Sequence, residues 1–248
     1  MPICYNPFSL EGKIILVTGA SSGIGRGIAI ECSRMGAKIV AVGRNETTLK
    51  ETLAKLDGTN HCYLVCDLTD EQAVDRIIPK VPALNGIVYA AGVGQRILCR
   101  NIVKEDIDVV MNTNFASVVL LQSKLQQSKK IPKGTSIVII TSIAPESPSV
   151  GNAMYSASKG ALVAYAKCLS TELASRQVRV NCISPAMVWT DLIFKGGLTK
   201  EELLADEKKY PLQRYGTPED IAYLTIYLLS ETSTWMTGSN LRITGGIF

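Results

Sequence analysis

Short apolar runs alternate with longer helix-like stretches along almost the whole chain, and this alternation restricts the fold more than any other feature. Residues 14–17, 38–42, 61–65, 86–89, 136–140, 178–183 and 241–243 are strand-like, and residues 23–35, 46–56, 70–78, 105–128, 153–175 and 217–229 have the pattern of helices. Strands separated by helices pair in parallel through crossovers, and right-handed crossovers place helices on both faces of one sheet. The expectation is an α/β protein with a doubly wound parallel sheet. No linker, repeat or low-complexity stretch divides the 248 residues, which points to a single domain over 1–248. With 46% hydrophobic and 19% charged residues, such a chain buries enough surface to fold without disulfides or metal. The least patterned stretch is 187–212, with Gly196, Gly197 and Pro211. A long irregular segment at strand ends is a candidate lid over a site.

Charge and composition exclude several classes of function. The net charge of +4 is mild and its basic residues are scattered, which argues against nucleic acid. No apolar stretch is long enough for a membrane span, and the first ten residues lack the pattern of a secretion signal. The seven cysteines are odd in number and none form a C-x-x-C pair, which suits a reduced, cytoplasmic protein. His61, Cys62 and Cys66 lack a fourth ligand nearby, so no metal site is expected. His61 is the only histidine and falls in a strand, which leaves no residue for a Ser-His-Asp triad.

Three local patterns carry chemistry. Thr18-Gly19-Ala20-Ser21-Ser22-Gly23-Ile24-Gly25 joins the first strand to the first helix. Glycine there permits close approach of backbone to a ligand, and the helix start offers N–H groups to a pyrophosphate. Dinucleotide sites for NAD carry an acid near the end of the second strand. Here Val42-Gly43-Arg44-Asn45 has no acid, and the Arg44 guanidinium suits a 2′-phosphate. Tyr155 and Lys159 are four apart on one helix, so both fall on one face. A nearby ammonium would lower a tyrosine from about 10 and make it a usable acid or base. Ser142 lies just past an apolar strand, at the kind of strand end where ligands bind.

Taken together, Thr18-Gly-x-x-x-Gly-x-Gly25, Asp67, Asn114, Ser142, Tyr155-x-x-x-Lys159 and the stretch from Pro185 to Thr190 resemble the short-chain dehydrogenase/reductase family over essentially the whole chain. The resemblance implies a seven-stranded Rossmann sheet and an NADP-dependent oxidoreductase, NAD being the less favoured cofactor. It implies hydride transfer between NADP(H) and a carbonyl or secondary alcohol, with Tyr155 as acid/base. Lys159 would lower the tyrosine and hold the nicotinamide ribose, Ser142 would orient the substrate oxygen, and Asn114 would support a water relay to Lys159. Gly19, Ser21, Ser22, Gly23, Ile24 and Gly25 would cradle the phosphates, and Asp67 and Leu68 would meet the adenine. Ala91, Gly92, Pro185, Val188 and Thr190 would complete the cofactor site. Three departures stand out: Tyr89-Ala90-Ala91-Gly92 replaces Asn-Asn-Ala-Gly, Pro185-Ala186 replaces Pro-Gly, and Thr244-Gly245-Gly246 replaces Asp-Gly-Gly. None removes a group needed for the reaction.

The helix at 153–174 is small or apolar on nearly every side, which implies burial on both faces. A partner subunit would cover the outer face, and the family's habit suggests a homotetramer. The substrate is expected to be a small-molecule carbonyl or alcohol, with a 3-oxoacyl group on an acyl carrier protein as one candidate. Lys129, Lys130 and Arg176 offer positive charge to such a carrier, or serve as solvated side chains. A non-catalytic nucleotide sensor on the same fold is the alternative, but sensors tend to lose the tyrosine or lysine kept here. Nucleotide-sugar epimerases carry a larger C-terminal region than this chain has.

Overall fold

The computed structural model describes residues 5–194 and 199–247. Gly196 and Gly197 of the expected lid lie outside the described residues. Seven parallel strands form one sheet: β1 (Ile14–Thr18), β2 (Lys38–Gly43), β3 (Cys62–Val65), β4 (Gly86–Tyr89), β5 (Ser136–Ile140), β6 (Arg179–Pro185) and β7 (Asn240–Ile243). Their spatial order is β3-β2-β1-β4-β5-β6-β7. The doubly wound, seven-stranded sheet agrees with the expectation from sequence. The order reverses between β1 and β4, and that reversal opens a crevice beyond the carboxyl ends of the strands.

The helices are α1 (Gly23–Arg34), α2 (Glu46–Leu53), α3 (Glu71–Ile77), α4 (Lys104–Met111), α5 (Ser117–Gln127), α6 (Ala153–Leu173), α7 (Asp191–Phe194), α8 (Lys200–Glu207) and α9 (Pro218–Leu229). Alternation along the strands divides the core into two layers. Leu16, Val40, Ile87 and Ile137 face Val74, Leu121, Leu162 and Leu169. Ile15, Ile39, Val88 and Val138 face the other way, onto Ile28, Ala29 and Ile226. Both layers cover the five inner strands, which explains why these are largely apolar instead of alternating with polar residues, whereas the edge strands β3 and β7 keep exposed positions.

Two elements differ from the sequence reading. The single helix expected over 105–128 is interrupted by a π-helical turn, Asn112–Ala116, between α4 and α5. The stretch at 187–212 is less irregular than expected, because it contains α7 and α8. Thr199 accepts from the Glu202 N–H, and Glu202 accepts from the Thr199 N–H, so a reciprocal cap starts α8. Leu203, Tyr210 and Tyr215 form a small separate core with Trp189 and Ile193 against it. Among the described residues no helix is long and apolar enough to cross a membrane.

Candidate active site

A cleft of about 270 Å³ opens at the switch point between β1 and β4. The Thr18 hydroxyl fastens the two strand ends: it donates to Val88 O and accepts from the N–H groups of Ala90 and Ala91. Gly19 has φ +67, and a Cβ there would stand 2.8 Å from the Ala91 nitrogen. A Cβ on Gly25 would overlap the Gly19 carbonyl oxygen. The turn is therefore backbone packed on backbone, and glycine is required on steric grounds. Twelve of the predicted residues line the cleft: Gly19, Ser21, Ser22, Gly23, Ile24, Gly25, Arg44, Asp67, Leu68, Ala91, Gly92 and Thr190.

Two observations test whether a dinucleotide fits. The N-cap of α1, Ser22, is extended and makes no side-chain cap bond, whereas Asn45, Asp70, Thr199 and Thr217 cap α2, α3, α8 and α9. The start of α1 thus has no side-chain cap, as at α6, but here Ser22 to Gly25 line the cleft, where an anion could accept from their N–H groups. In addition, Ser21 Oγ is the one buried side-chain polar atom among the described residues without a hydrogen-bond partner. Buried hydroxyls ordinarily have partners, and this one borders the cleft. A Cβ on Gly43 would stand 2.3 Å from Ser21 Oγ, so an acid at this usual ribose-binding position would require the Ser21 hydroxyl to turn away. Arg26 braces the turn, donating to the Ser21 carbonyl and the Thr52 hydroxyl. Arg44 is exposed at the rim. The Asp67 carboxyl lies below its usual range because it accepts from the Thr69 N–H and hydroxyl, with a smaller contribution from the Arg44 charge.

The remaining predicted residues gather beside this cleft, around the end of β5 and the start of α6. Lys159 is buried, its Nζ donating to Ile140 O at 2.9 Å and lying 5.8 Å from the Tyr155 ring centroid. Asn114 is fully buried in the π-turn, where Oδ1 accepts from Val93 N at 2.8 Å. Its Nδ2 donates to Val93 O and to Ser158 Oγ, both at 3.0 Å. A Cβ on Gly92 would lie 3.2 Å from Asn114 Oδ1 and 3.5 Å from Lys159 Nζ, so these three positions converge. Ser142 Oγ accepts from Ala144 N and shares a hydrogen bond with Tyr155. Pro185 ends β6, and Val188 pairs with Gly216 through a parallel bridge.

The electrostatics of the pair differ from the expectation that Lys159 draws Tyr155 down. Burial pushes the Tyr155 phenol above its ordinary value, and the Ser142 hydrogen bond pulls the other way. Burial brings the Lys159 ammonium down to about 8. The amine is turned to a backbone carbonyl and the ring face, and desolvation disfavours charge on both groups.

Other predicted residues lie elsewhere. Lys130 O accepts from Leu84 N and Arg176 O from Gly134 N, which puts Lys129, Lys130 and Arg176 near the amino ends of β4 and β5. Within one chain they are at the opposite end of the strands from Tyr155. His61 bonds only backbone, accepting from Ile39 N through Nδ1 and meeting Asp57 O through Nε2. Sequence reasoning missed Arg26, Ser158 and Glu207, each of which has a side-chain partner between 18 and 44 positions away: Thr52, Asn114 and Trp189.

A doubly wound sheet with a glycine turn at its switch point is the architecture of dinucleotide-binding proteins. A family model described as enoyl-(acyl carrier protein) reductase matches residues 19–247. The chain is 33% identical to a 3-oxoacyl-(acyl-carrier-protein) reductase of Rickettsia prowazekii, covering 96% of this chain and 98% of that protein. It is 32% identical to carbonyl reductase family member 4 of Danio rerio, over 95% of this chain and 98% of that protein. A solved structure provisionally described as an NAD(P)-dependent gluconate 5-dehydrogenase of Beutenbergia cavernae, with NADP bound at low occupancy, superimposes with a TM-score of 0.89. It is 28% identical, over 97% of this chain and 98% of that one. The protein belongs to the short-chain dehydrogenase/reductase family of oxidoreductases.

Proposed function

We propose that the protein is an NADP-dependent carbonyl reductase in which Tyr155 donates the proton. The observation that carries this is the meeting of Ser142, Tyr155, Lys159 and Asn114 beside a glycine-lined cleft that has an uncapped helix start and no acid at Gly43. When bound, NADPH supplies the hydride. Ser142 and the Tyr155 hydroxyl hold the substrate oxygen, and the phenolic proton passes to it as negative charge develops. A phenol raised by burial stays protonated at neutral pH, the form needed to reduce a carbonyl. Lys159, at about 8, exchanges protons near neutral pH and answers the phenolate left behind. Asn114 fixes the Val93 backbone and, through Ser158, the start of α6; its expected water relay to Lys159 is part of the proposal.

Arg44 at the rim and the orphaned Ser21 hydroxyl favour NADP over NAD. A 3-oxoacyl group on an acyl carrier protein is the first substrate to try, since relatives with that activity in their names are 29% and 33% identical to this chain. The segment 187–212 serves as the cover of the substrate side. Free cysteines such as Cys32, Cys62 and Cys66 suit the reducing cytoplasm. Assembly into a tetramer would use the outer groove between α5 and α6, lined by Ser123, Tyr165, Cys168 and Glu172. Leu169 forms the buried floor of that groove, while Ala164 is exposed elsewhere on α6. Light scattering tests the assembly. Consumption of NADPH and NADH with a panel of ketones and a 3-oxoacyl carrier thioester tests the chemistry. Absence of turnover on every substrate, with the cofactor bound, would favour a nucleotide sensor.

A further inference from the structure

One carboxylate fastens the segment that follows β6. Glu207, the last residue of α8, accepts two hydrogen bonds on the same oxygen, Oε1. The Trp189 indole N–H donates at 2.9 Å and the Tyr215 backbone N–H at 2.8 Å. These donors flank the parallel bridge of Val188 with Gly216, where Trp189 N donates to Gly216 O and Gly216 N to Met187 O. The Trp189 ring packs on Tyr215, with centroids 5.3 Å apart, and on Phe194 of α7 at 6.2 Å. Next to Trp189, Thr190 lines the cleft, its methyl 3.1 Å from where a Cβ on Gly23 would stand. Leu192 of α7 reaches across to Gly94, within 3.5 Å of a Cβ built there. Arg214, the nearest cation acting on Glu207, is bound instead by both oxygens of Asp220. An ionised acceptor serving two N–H donors makes stronger bonds than a neutral one.

We propose that Glu207 is a positioning residue for the dinucleotide: through the Trp189 indole it sets where Thr190 and α7 stand across the cleft. The inference rests on the oxidoreductase reading above and adds to it a residue distant from the reacting atoms. A carboxylate tied to the Trp189 indole and the Tyr215 backbone N–H has no role in the chemistry, so its loss should appear in binding and not in the chemical step.

The test uses Trp235→Phe as parent, because Trp189 and the fully exposed Trp235 are the only tryptophans. In the parent, Trp189 emission reports NADPH binding directly. Glu207→Ala is expected to raise the NADPH Kd and KM together by about tenfold, the size of one lost charge-assisted bond. The change in kcat should be smaller, and the emission of the free protein should shift to the red as the indole loses its acceptor. Glu207→Gln keeps an acceptor oxygen and should restore most of the affinity. Trp189→Phe, which removes the donor and keeps a ring, should raise KM for NADPH, and combining it with Glu207→Ala should add little further loss. If Glu207→Ala does not fold, Trp189→Phe carries the test through the same KM. A folded Glu207→Ala that binds NADPH within about twofold of the parent, or loses only thermal stability, overturns the proposal. A parent that neither binds NADPH nor reduces any ketone overturns the functional reading, and this inference falls with it.

Discussion

The two walls of the cleft are held by different means. The wall formed by β1, α1 and β4 is backbone against backbone: Gly25 on Gly19, Gly19 on Ala91, with the Thr18 hydroxyl tying the strand ends. The facing wall, residues 187–194 and 199–216, is held by side chains: an indole on a carboxylate, a phenol on Asp206, and three aromatic rings in contact. Glycine contacts leave few alternatives, so the first wall is set once the sheet forms. Side-chain contacts can be exchanged one at a time, so the second wall can be retuned without disturbing the fold. A binding site and an adjustable cover thus coexist on one sheet edge.

Four substitutions break or sharpen this contrast. Tyr155→Phe moves neither wall, so the NADPH Kd should stay as it is while kcat falls by about 10²–10⁴. Stopped-flow turnover with fluorescence titration separates the two, and near-normal turnover would remove Tyr155 from the mechanism. Arg44→Ala touches only the rim of the first wall. It should cut the preference for NADPH over NADH by about ten- to a hundredfold, measured as the ratio of kcat/KM values. A ratio already near one in the unaltered protein would show that Arg44 holds no phosphate. Gly25→Ala drives a methyl into the Gly19 carbonyl. It should cost about 1–3 kcal/mol of stability and weaken NADPH together with it, visible in a melting curve with and without cofactor.

The smallest effect concerns Lys159. Its pKa in the folded protein is about 8, below the ordinary 10.5. Between those values the unfolded chain keeps a proton that the folded chain has released. Stability from this group therefore rises as pH rises from 8 towards 10.5, and below pH 8 the folded state carries the full penalty, on the order of 3 kcal/mol. Lys159→Met removes the penalty but strands the Ile140 carbonyl, which costs about 1–3 kcal/mol. The variant should melt at or slightly above the parent temperature at pH 7 and have lost most turnover. A markedly lower melting temperature would mean that the lysine supports the fold.

The same contrast explains what the sequence made legible. The five inner strands are closed on both faces and appear as largely apolar runs, while the partly exposed edge strands β3 and β7 are marked more by their place in the alternation with helices. The glycine turn is local, and steric need maps directly onto residue type. Tyr155 and Lys159 share one helical face by their spacing, and the joint pattern with Ser142 and Asn114 singles the pair out. Glu207 and Trp189 are 18 positions apart and meet only through the bridge at Val188, so no periodicity announces them. The helix at Lys200–Glu207 did carry a signal, Thr199 followed three residues later by Glu202. The burial of Tyr155 and Lys159, which reverses the expected direction of the phenol, depends on neighbours that the helix pattern does not reveal.

The π-helical turn that carries Asn114 has a consequence for how the length of this chain can vary. Such a turn holds one residue more than a regular turn, and each helical residue advances the chain by about 100° about the axis. The wider turn absorbs that extra residue, so deleting one residue within Asn112–Ala116 would leave a regular helix with α4 and α5 little rotated, but would remove the local widening that carries Asn114. The Asn114 amide would then leave Val93 and Ser158, and the bonds linking the strand end at Gly92 to α6 would be lost. Loops on the surface of this fold can gain or lose residues freely. In the helix between β4 and β5 the residue count is held by one amide, because the extra residue is what brings Asn114 to Val93 and Ser158.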